Sequence, residues 1–164
     1  VPIHTCTTAQ GTPAVATKAE LAAEITRIHS EINHVPPGYV NVVFTEPPRD
    51  SVYVGGEPGA PLLITGWARR GHPQEETTRL APELSAAASR VTGIPEPRVL
   101  VVIQDSPARS AVEGGRVLPD PGHEKEWMSR QERWRRGLRR GRHRGPLAVQ
   151  GYTRGPVTRF PRRS

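Results

Sequence analysis

Six groups in this 164-residue sequence are candidates for joint chemistry: Pro2, His29, Arg69, Arg70, His72 and Glu113. Initiator residues are commonly removed before proline, and Val1 reads as the literal product of a GUG start. Its removal would leave Pro2 as a secondary amine. An ordinary α-amino group titrates near about 7.7 to 8.0, and burial or neighbouring cations tune it into the range useful for proton transfer at neutral pH. Arg69, Arg70 and His72 lie in a Gly-bounded stretch after an apolar run. An arginine offers a planar fork to a carboxylate, and cations beside Pro2 would lower its pKa. In other surroundings the same three residues are ordinary surface charges.

An internal repeat bears on two of these groups. Residues 40 to 48, VNVVFTEPP, and 99 to 107, VLVVIQDSP, share an apolar core, an acid and a proline at an offset of 59. The same offset relates the stretch Ser51 to Gly56 to Ser110 to Gly115, and Pro2 to Pro61. One supersecondary unit therefore occurs twice, at about 2–58 and 61–117. Pro61 sits mid-chain with no basic nitrogen, so a pair of fused units would carry one proline-based site rather than two. Glu113 aligns with the apolar Val54, beside Gly-Gly. A carboxylate at that position either faces solvent or serves the site.

The elements that must position these groups follow from periodicity. In the first unit Leu21, Ile25, Ile28 and Ile32 recur at helical spacing, with Thr12 a candidate N-cap, Pro13 in the first turn and Asn33 to Gly38 as the stop. Leu80, Leu84, Ala87 and Val91 repeat the pattern in the second, which carries Pro82 inside the helix. A proline there costs on the order of 3 kcal/mol unless it falls in the first turn or at a kink. Strands are expected at Pro2 to Thr7, Val40 to Thr45, Pro61 to Trp67 and Arg98 to Gln104. Two β-α-β units with right-handed crossovers give an α/β (α+β) fold, a four-stranded sheet with both helices on one face. The opposite face is then apolar and uncovered, which predicts burial by other subunits. His29 shares the helix face of Ile25 and Ile32, so it points inward, as a core histidine satisfied by the backbone or as a site residue.

Composition bounds the rest. The chain fits one domain with a tail, 1–127 and 128–164. Of the 23 basic residues twelve lie from Met128 onward, against one of the 16 acidic residues. The body is thus mildly acidic, and the formal net charge of +7 describes the tail. The tail's Gly, Pro and Arg lack a regular period, which predicts disorder. Trp134, Tyr152 and Phe160 among its arginines allow stacking and phosphate contact with nucleic acid; a solvated extension is the plainer reading. The one cysteine, Cys6, excludes a disulfide scaffold and fits a reducing compartment. With no membrane-length apolar run and no signal-peptide layout, the chain reads as cytoplasmic. No metal site is expected, because only His29 and His34 have a usable spacing and no cysteine pair accompanies them.

Taken together, Asn41 to Pro48, Val52 to Gly56, Gly66-Trp-Ala-Arg-Arg-Gly71, Val112-Glu-Gly-Gly-Arg116 and Leu118-Pro-Asp-Pro-Gly-His-Glu-Lys-Glu-Trp127 resemble the cis-3-chloroacrylic acid dehalogenase branch of the tautomerase superfamily. The resemblance covers about residues 2 to 127. It implies a tautomerase-like fold, a homotrimer, no cofactor and a small carboxylate substrate. It also implies that Pro2 transfers the proton, that His29 and Arg69 bind the carboxylate, and that Glu113 works on water or a second proton. Two positions depart from the dehalogenase pattern. Its second loop arginine is His72 here, with Arg70 nearby, and its water-activating tyrosine corresponds to Val102. Both losses penalise hydrolytic dehalogenation more than keto-enol proton transfer. The sequence reading is therefore a cofactor-independent tautomerase or isomerase of 2-oxo acids, with a 3-haloacrylate hydratase or dehalogenase, or a non-catalytic binding protein, as alternatives.

Overall fold

The computed structural model describes residues 2–12 and 15–129. Its compact unit spans Val1–Met128, and a second unit spans Ser129–Ser164. The expectations for the tail concern residues that, from 130 onward, lie outside the described ones, as does Pro13; Thr12, expected as the N-cap, is described, and its hydroxyl accepts from Arg49 Nη2 at 3.3 Å.

Among the described residues, eight strands and two long helices follow the repeat closely. The first unit runs β1 (Ile3–Thr7), α1 (Val15–Asn33), β2 (Asn41–Thr45) and the hairpin β3 (Tyr53–Val54) and β4 (Glu57–Pro58). The second runs β5 (Leu62–Arg69), α2 (Gln74–Thr92), β6 (Val99–Ser106) and the hairpin β7 (Val112–Glu113) and β8 (Arg116–Val117). Ile3 and Leu62, Val15 and Gln74, Tyr53 and Val112, and Glu57 and Arg116 open equivalent elements, each pair 59 positions apart. Both hairpins turn through Gly-Gly with positive φ, at 62° and 89° for Gly55 and Gly56 and at 57° and 78° for Gly114 and Gly115. Two successive positive φ values are what a two-residue hairpin turn requires, and glycine adopts them without a side-chain clash.

The main sheet has the order β2-β1-β5-β6. Each unit pairs its own strands in parallel, and the units join through antiparallel β1 and β5. The helices cover one face. Leu21, Ile25, Ile28 and Ile32 of α1 meet Leu80, Leu84, Ala87 and Ala88 of α2 over Cys6, Leu62 and Ile64. Each fully buried leucine or isoleucine contributes roughly 1.5–3 kcal/mol. Pro82 does lie inside α2, beyond its first turn. It is exposed, so water can reach the carbonyl that loses its helical donor. α2 ends on Gly93 at φ 73°, whose N–H caps the Ser89 carbonyl at 2.9 Å. α1 ends without glycine, and His34 takes φ 52° there.

The opposite face differs in part from expectation. Its three cross-strand rows are Asn41–Ile3–Trp67–Gln104, Val43–Thr5–Thr65–Val102 and Thr45–Thr7–Leu63–Leu100. Ile3, Val43, Leu100 and Val102 are exposed, but threonines and amides interrupt them in every row. The face is amphipathic rather than uniformly apolar. Among the described residues no helix is long and apolar enough to cross a membrane.

Candidate active site

Antiparallel pairing in the middle of the sheet builds the site. Ile3 faces Trp67, so one step further the start of β1 brings Pro2 level with Ala68 and the end of β5. The Asn41 N–H donates to the Pro2 carbonyl at 3.0 Å and anchors the terminus on β2. Parallel pairing of β5 with β6 sets Arg69 beside Ser106, from which the chain passes through a short 3-10 turn to Glu113. The segment after β8 folds back over this end of the sheet. There Leu118 and Trp127 pack with Ala108, and the Trp127 Nε1–H donates to the Val117 carbonyl at 2.8 Å. Arg116 lies over the Trp127 ring, 5.3 Å from its centre, a distance at which the ring's negative face attracts a cation.

These elements enclose a pocket of about 460 Å³, open mouth included, whose lining contains Pro2, His29, Arg69, Glu113, Glu124 and Trp127. Four of the six candidate residues therefore meet. Arg70 and His72 line an adjacent cavity instead, with Asn33 and Asp105. Arg70 is mostly exposed and pairs with Asp105 at 2.8 Å, while His72 lies 3.7 Å from Glu76. Val102 stands on the open sheet face, 41% exposed. Of the cations expected near Pro2, Arg69 is the one that lines its pocket.

Arg69 is nearly buried, and its guanidinium is held on two sides. Nη1 donates to the Pro119 carbonyl at 2.6 Å and Nη2 to Glu124 Oε1 at 2.7 Å. The other Glu124 oxygen accepts the Gly122 N–H at 2.9 Å. Burial works to raise the Glu124 pKa, but the hydrogen bonds from Arg69 and the backbone prevail and keep it below the usual carboxylate range. An arginine has five N–H donors, so a fixed guanidinium with two engaged still has donors for a ligand.

His29 is 1% exposed. Its Nδ1 lies 2.9 Å from Nε2 of the fully buried His4, and its Nε2 lies 3.3 Å from Asn33 Nδ2. The two rings meet edge to face with centres 5.0 Å apart. Burial lowers the His4 pKa to about 4. For His29 burial first, then the positive fields of His4 and His72, lower it to about 3. Both imidazoles are neutral at pH 7, so the pocket's positive charge comes from Arg69.

A consequence for stability follows from the sign of these shifts. Between pH 6.5 and 4 the unfolded chain binds protons that the folded one refuses, so stability is full above 6.5 and falls on acidification. A loss on the order of 3 kcal/mol for each histidine is expected across that window, and the His29 contribution goes on falling to about pH 3. Urea midpoints at pH 7 and pH 4.5 measure it, and His4→Phe should shrink the difference because one buried imidazole is gone. Equal pH sensitivity in both proteins would contradict the account.

His4, Asn33 and Glu124 escaped the sequence reading as site residues. Strand alternation places His4 inward with Cys6, and Asn33 lies four positions after His29 on one helix, so both signals were present but silent about chemistry. Glu124 belongs to the Gly-His-Glu-x-Glu-Trp run, yet its partner Arg69 is 55 positions away.

The repeat has a structural counterpart at the opposite end of the sheet. A second cavity is lined there by Pro61, Arg98, Val54, Gly59 and Ala60, which stand 59 positions from Pro2, Tyr39, Glu113, Leu118 and Pro119 of the first. The equivalents of His29 and Arg69 are Ala88 and Gln10. The second cavity repeats five lining positions of the first and has no counterpart of His29 or Arg69 in its lining. Among the described residues no group of three His, Cys, Asp or Glu side chains is placed to hold a metal.

A family model described as "Putative oxalocrotonate tautomerase enzyme" matches residues 1–133. Among solved structures, native Ps01740 is 32% identical with a TM-score of 0.66, over 68% of this chain and 99% of that one. Native fused 4-OT is 27% identical with a TM-score of 0.65, over 70% and 94%. N1, a member of the cis-3-chloroacrylic acid dehalogenase family, is 23% identical with a TM-score of 0.75, over 82% and 99%. No curated protein matches.

Proposed function

Because the chain belongs to the Tautomerase_3 family of oxalocrotonate tautomerase-type enzymes, we propose that it is a cofactor-independent tautomerase or isomerase of small 2-oxo acids that uses Pro2 as the proton carrier. The convergence of Pro2, Arg69 and Glu113 on one pocket, from positions far apart in the chain, carries the reading.

The chemistry needs a carboxylate anchor and a base that can also act as an acid. Arg69, fixed by Glu124 and the Pro119 carbonyl, grips the substrate carboxylate with its remaining donors, and His29 adds a hydrogen bond. The Pro2 nitrogen, free once Val1 is removed, takes the enol O–H proton. The oxygen's electron pair forms the carbonyl as the C=C pair moves to carbon, and that carbon recovers a proton from Pro2. Atoms and charge balance with no further reactant. Charge developing on the enolate oxygen is stabilised by the fixed guanidinium of Arg69.

Glu113 in the lining of the Pro2 pocket keeps hydration in view, since a carboxylate can activate water for addition to a 3-haloacrylate. Val102 and Arg70, both outside the pocket, leave that route without the helpers its chemistry calls for. Ketonisation of the enol of phenylpyruvate, assayed alongside halide release from cis-3-chloroacrylate, separates the two. Halide release far exceeding ketonisation would reverse the assignment, and neither activity together with a function lost only on deleting residues 128–164 would favour a binding protein.

We assign the amphipathic sheet face to contact between copies of the chain in a homotrimer; fused 4-OT, similar in fold, is described as a trimer. Sedimentation equilibrium giving a monomer mass at micromolar concentration would remove this assignment.

A further inference from the structure

His4 lies outside the lining of the Pro2 pocket, yet it is the partner of His29, one of the pocket's polar side chains. Its ring occupies space that Gly66 leaves: a Cβ on Gly66 would come within 2.7 Å of His4 Nδ1 and 2.6 Å of Ile103 Cδ1. The His4 Nδ1 edge thus faces backbone and an aliphatic side chain, and that atom is buried with no hydrogen-bond partner among the described residues. A buried N–H without an acceptor is rarer and costlier than a lone pair without a donor. The proton of neutral His4 therefore belongs on Nε2, which lies 2.9 Å from His29 Nδ1. His29 Nδ1 then accepts, and its own proton must sit on Nε2, because the bond made by one ring nitrogen decides the state of the other.

We propose that His4 is a positioning residue that selects the Nε2–H tautomer of His29, giving the pocket a neutral donor for the substrate carboxylate. Asn33 completes the device. Its amide oxygen and nitrogen are nearly interchangeable in shape, and with the oxygen turned toward His29 Nε2 it accepts that proton until a ligand carboxylate replaces it. The turn gives Asn33 Oδ1, buried without a partner in the opposite orientation, a donor, and it carries Nδ2 to the place that Oδ1 leaves. A neutral donor suits a site that already holds the Arg69–Glu124 pair, because it orients the substrate without adding charge beside Pro2. The inference rests on the assignment of His29 as a carboxylate ligand.

The test has a spectroscopic and a kinetic arm, both on the full chain. Long-range proton–nitrogen correlation spectra of the labelled protein read the tautomer of His29 directly, whether or not any substrate is turned over. Wild type is expected to carry the proton on Nε2, His4→Phe to lose that preference, and His4→Gln, which keeps an N–H donor, to retain it. With an enol acid as probe, His4→Phe is expected to raise KM about 10-fold with kcat changed less than about twofold, the size of one hydrogen bond to a charged ligand. His4→Gln should recover most of the loss. His29 protonated on Nδ1 in wild type, or His4→Phe with an unchanged tautomer, would overturn the proposal. Should His4→Phe not fold, the wild-type and His4→Gln spectra still decide. A correct tautomer with no turnover of any enol acid would instead remove the tautomerase reading and leave the His4 pairing standing.

Discussion

A chain that keeps any residue ahead of Pro2 is expected to ketonise an enol acid about 10²- to 10⁴-fold more slowly than a chain that begins at Pro2. A preceding residue turns the proline nitrogen into a tertiary amide, which is not basic at any working pH, and loss of a positioned acid-base group costs a factor of this size. Nothing else in the pocket changes, since the Pro2 carbonyl still accepts from Asn41 and Arg69 keeps its two partners. Folding should be unaffected, and the effect should fall on kcat more than on KM. Intact mass and initial rates on the same preparations make the comparison direct. Equal rates from blocked and free chains would rule out proton transfer by Pro2. A Pro2→Ala chain with a free terminus retains an amine, so its loss should be smaller than that of the blocked chain.

Arg69→Ala is expected to raise KM for the carboxylate substrate by about 10²-fold, because two effects act together. The substrate loses charge-assisted hydrogen bonds worth roughly 1.5–3 kcal/mol. Glu124, which Arg69 neutralises at 2.7 Å, is also left as an unpaired carboxylate in the same pocket, where it repels the substrate. The double variant Arg69→Ala, Glu124→Gln removes the repulsion and should recover about 10-fold of the loss. Recovery in the double variant separates repulsion from lost grip, as a double-mutant cycle requires. An Arg69→Ala protein that saturates at the wild-type concentration would show that the carboxylate binds elsewhere. Glu124→Gln alone keeps an acceptor for Arg69 and should change KM only a few-fold.

Legibility in the sequence divided along physical lines. The offset of 59 anticipated the pairing of whole elements, because a repeated unit repeats its turns and its apolar periodicity together. The inward faces of α1 and α2 followed from three-to-four spacing, and all the leucines and isoleucines expected there are buried. Glu113 was visible as a charge in an apolar slot of the repeat. Arg70 illustrates the limit: adjacent residues at a strand end point apart, so Arg69 turns into the pocket while Arg70 turns to Asp105, and composition cannot tell which. The threonines of the open sheet face were present in the strands, but their alignment into rows needs the register of four strands at once. Met128, read as the first residue of the tail, lines the pocket, because the closing segment's helical turn continues past Trp127. His4 and Glu124 depend on contacts between side chains 25 and 55 positions apart, which no local pattern encodes.

The twin cavity at Pro61 bears on how such a molecule could be rebuilt. Its proline is already seated at the end of a strand as Pro2 is, and what it lacks first is a severed bond. Opening the backbone between Ala60 and Pro61, as in a circular permutant or a pair of complementing half-chains, would expose a second terminal amine at the far end of the same sheet. Arginine at position 10 and histidine at position 88 would then restore the anchoring groups by symmetry. On the proposed chemistry, the two ends of the sheet differ by one backbone bond and by the side chains at positions 10, 54 and 88, not by the course of the backbone.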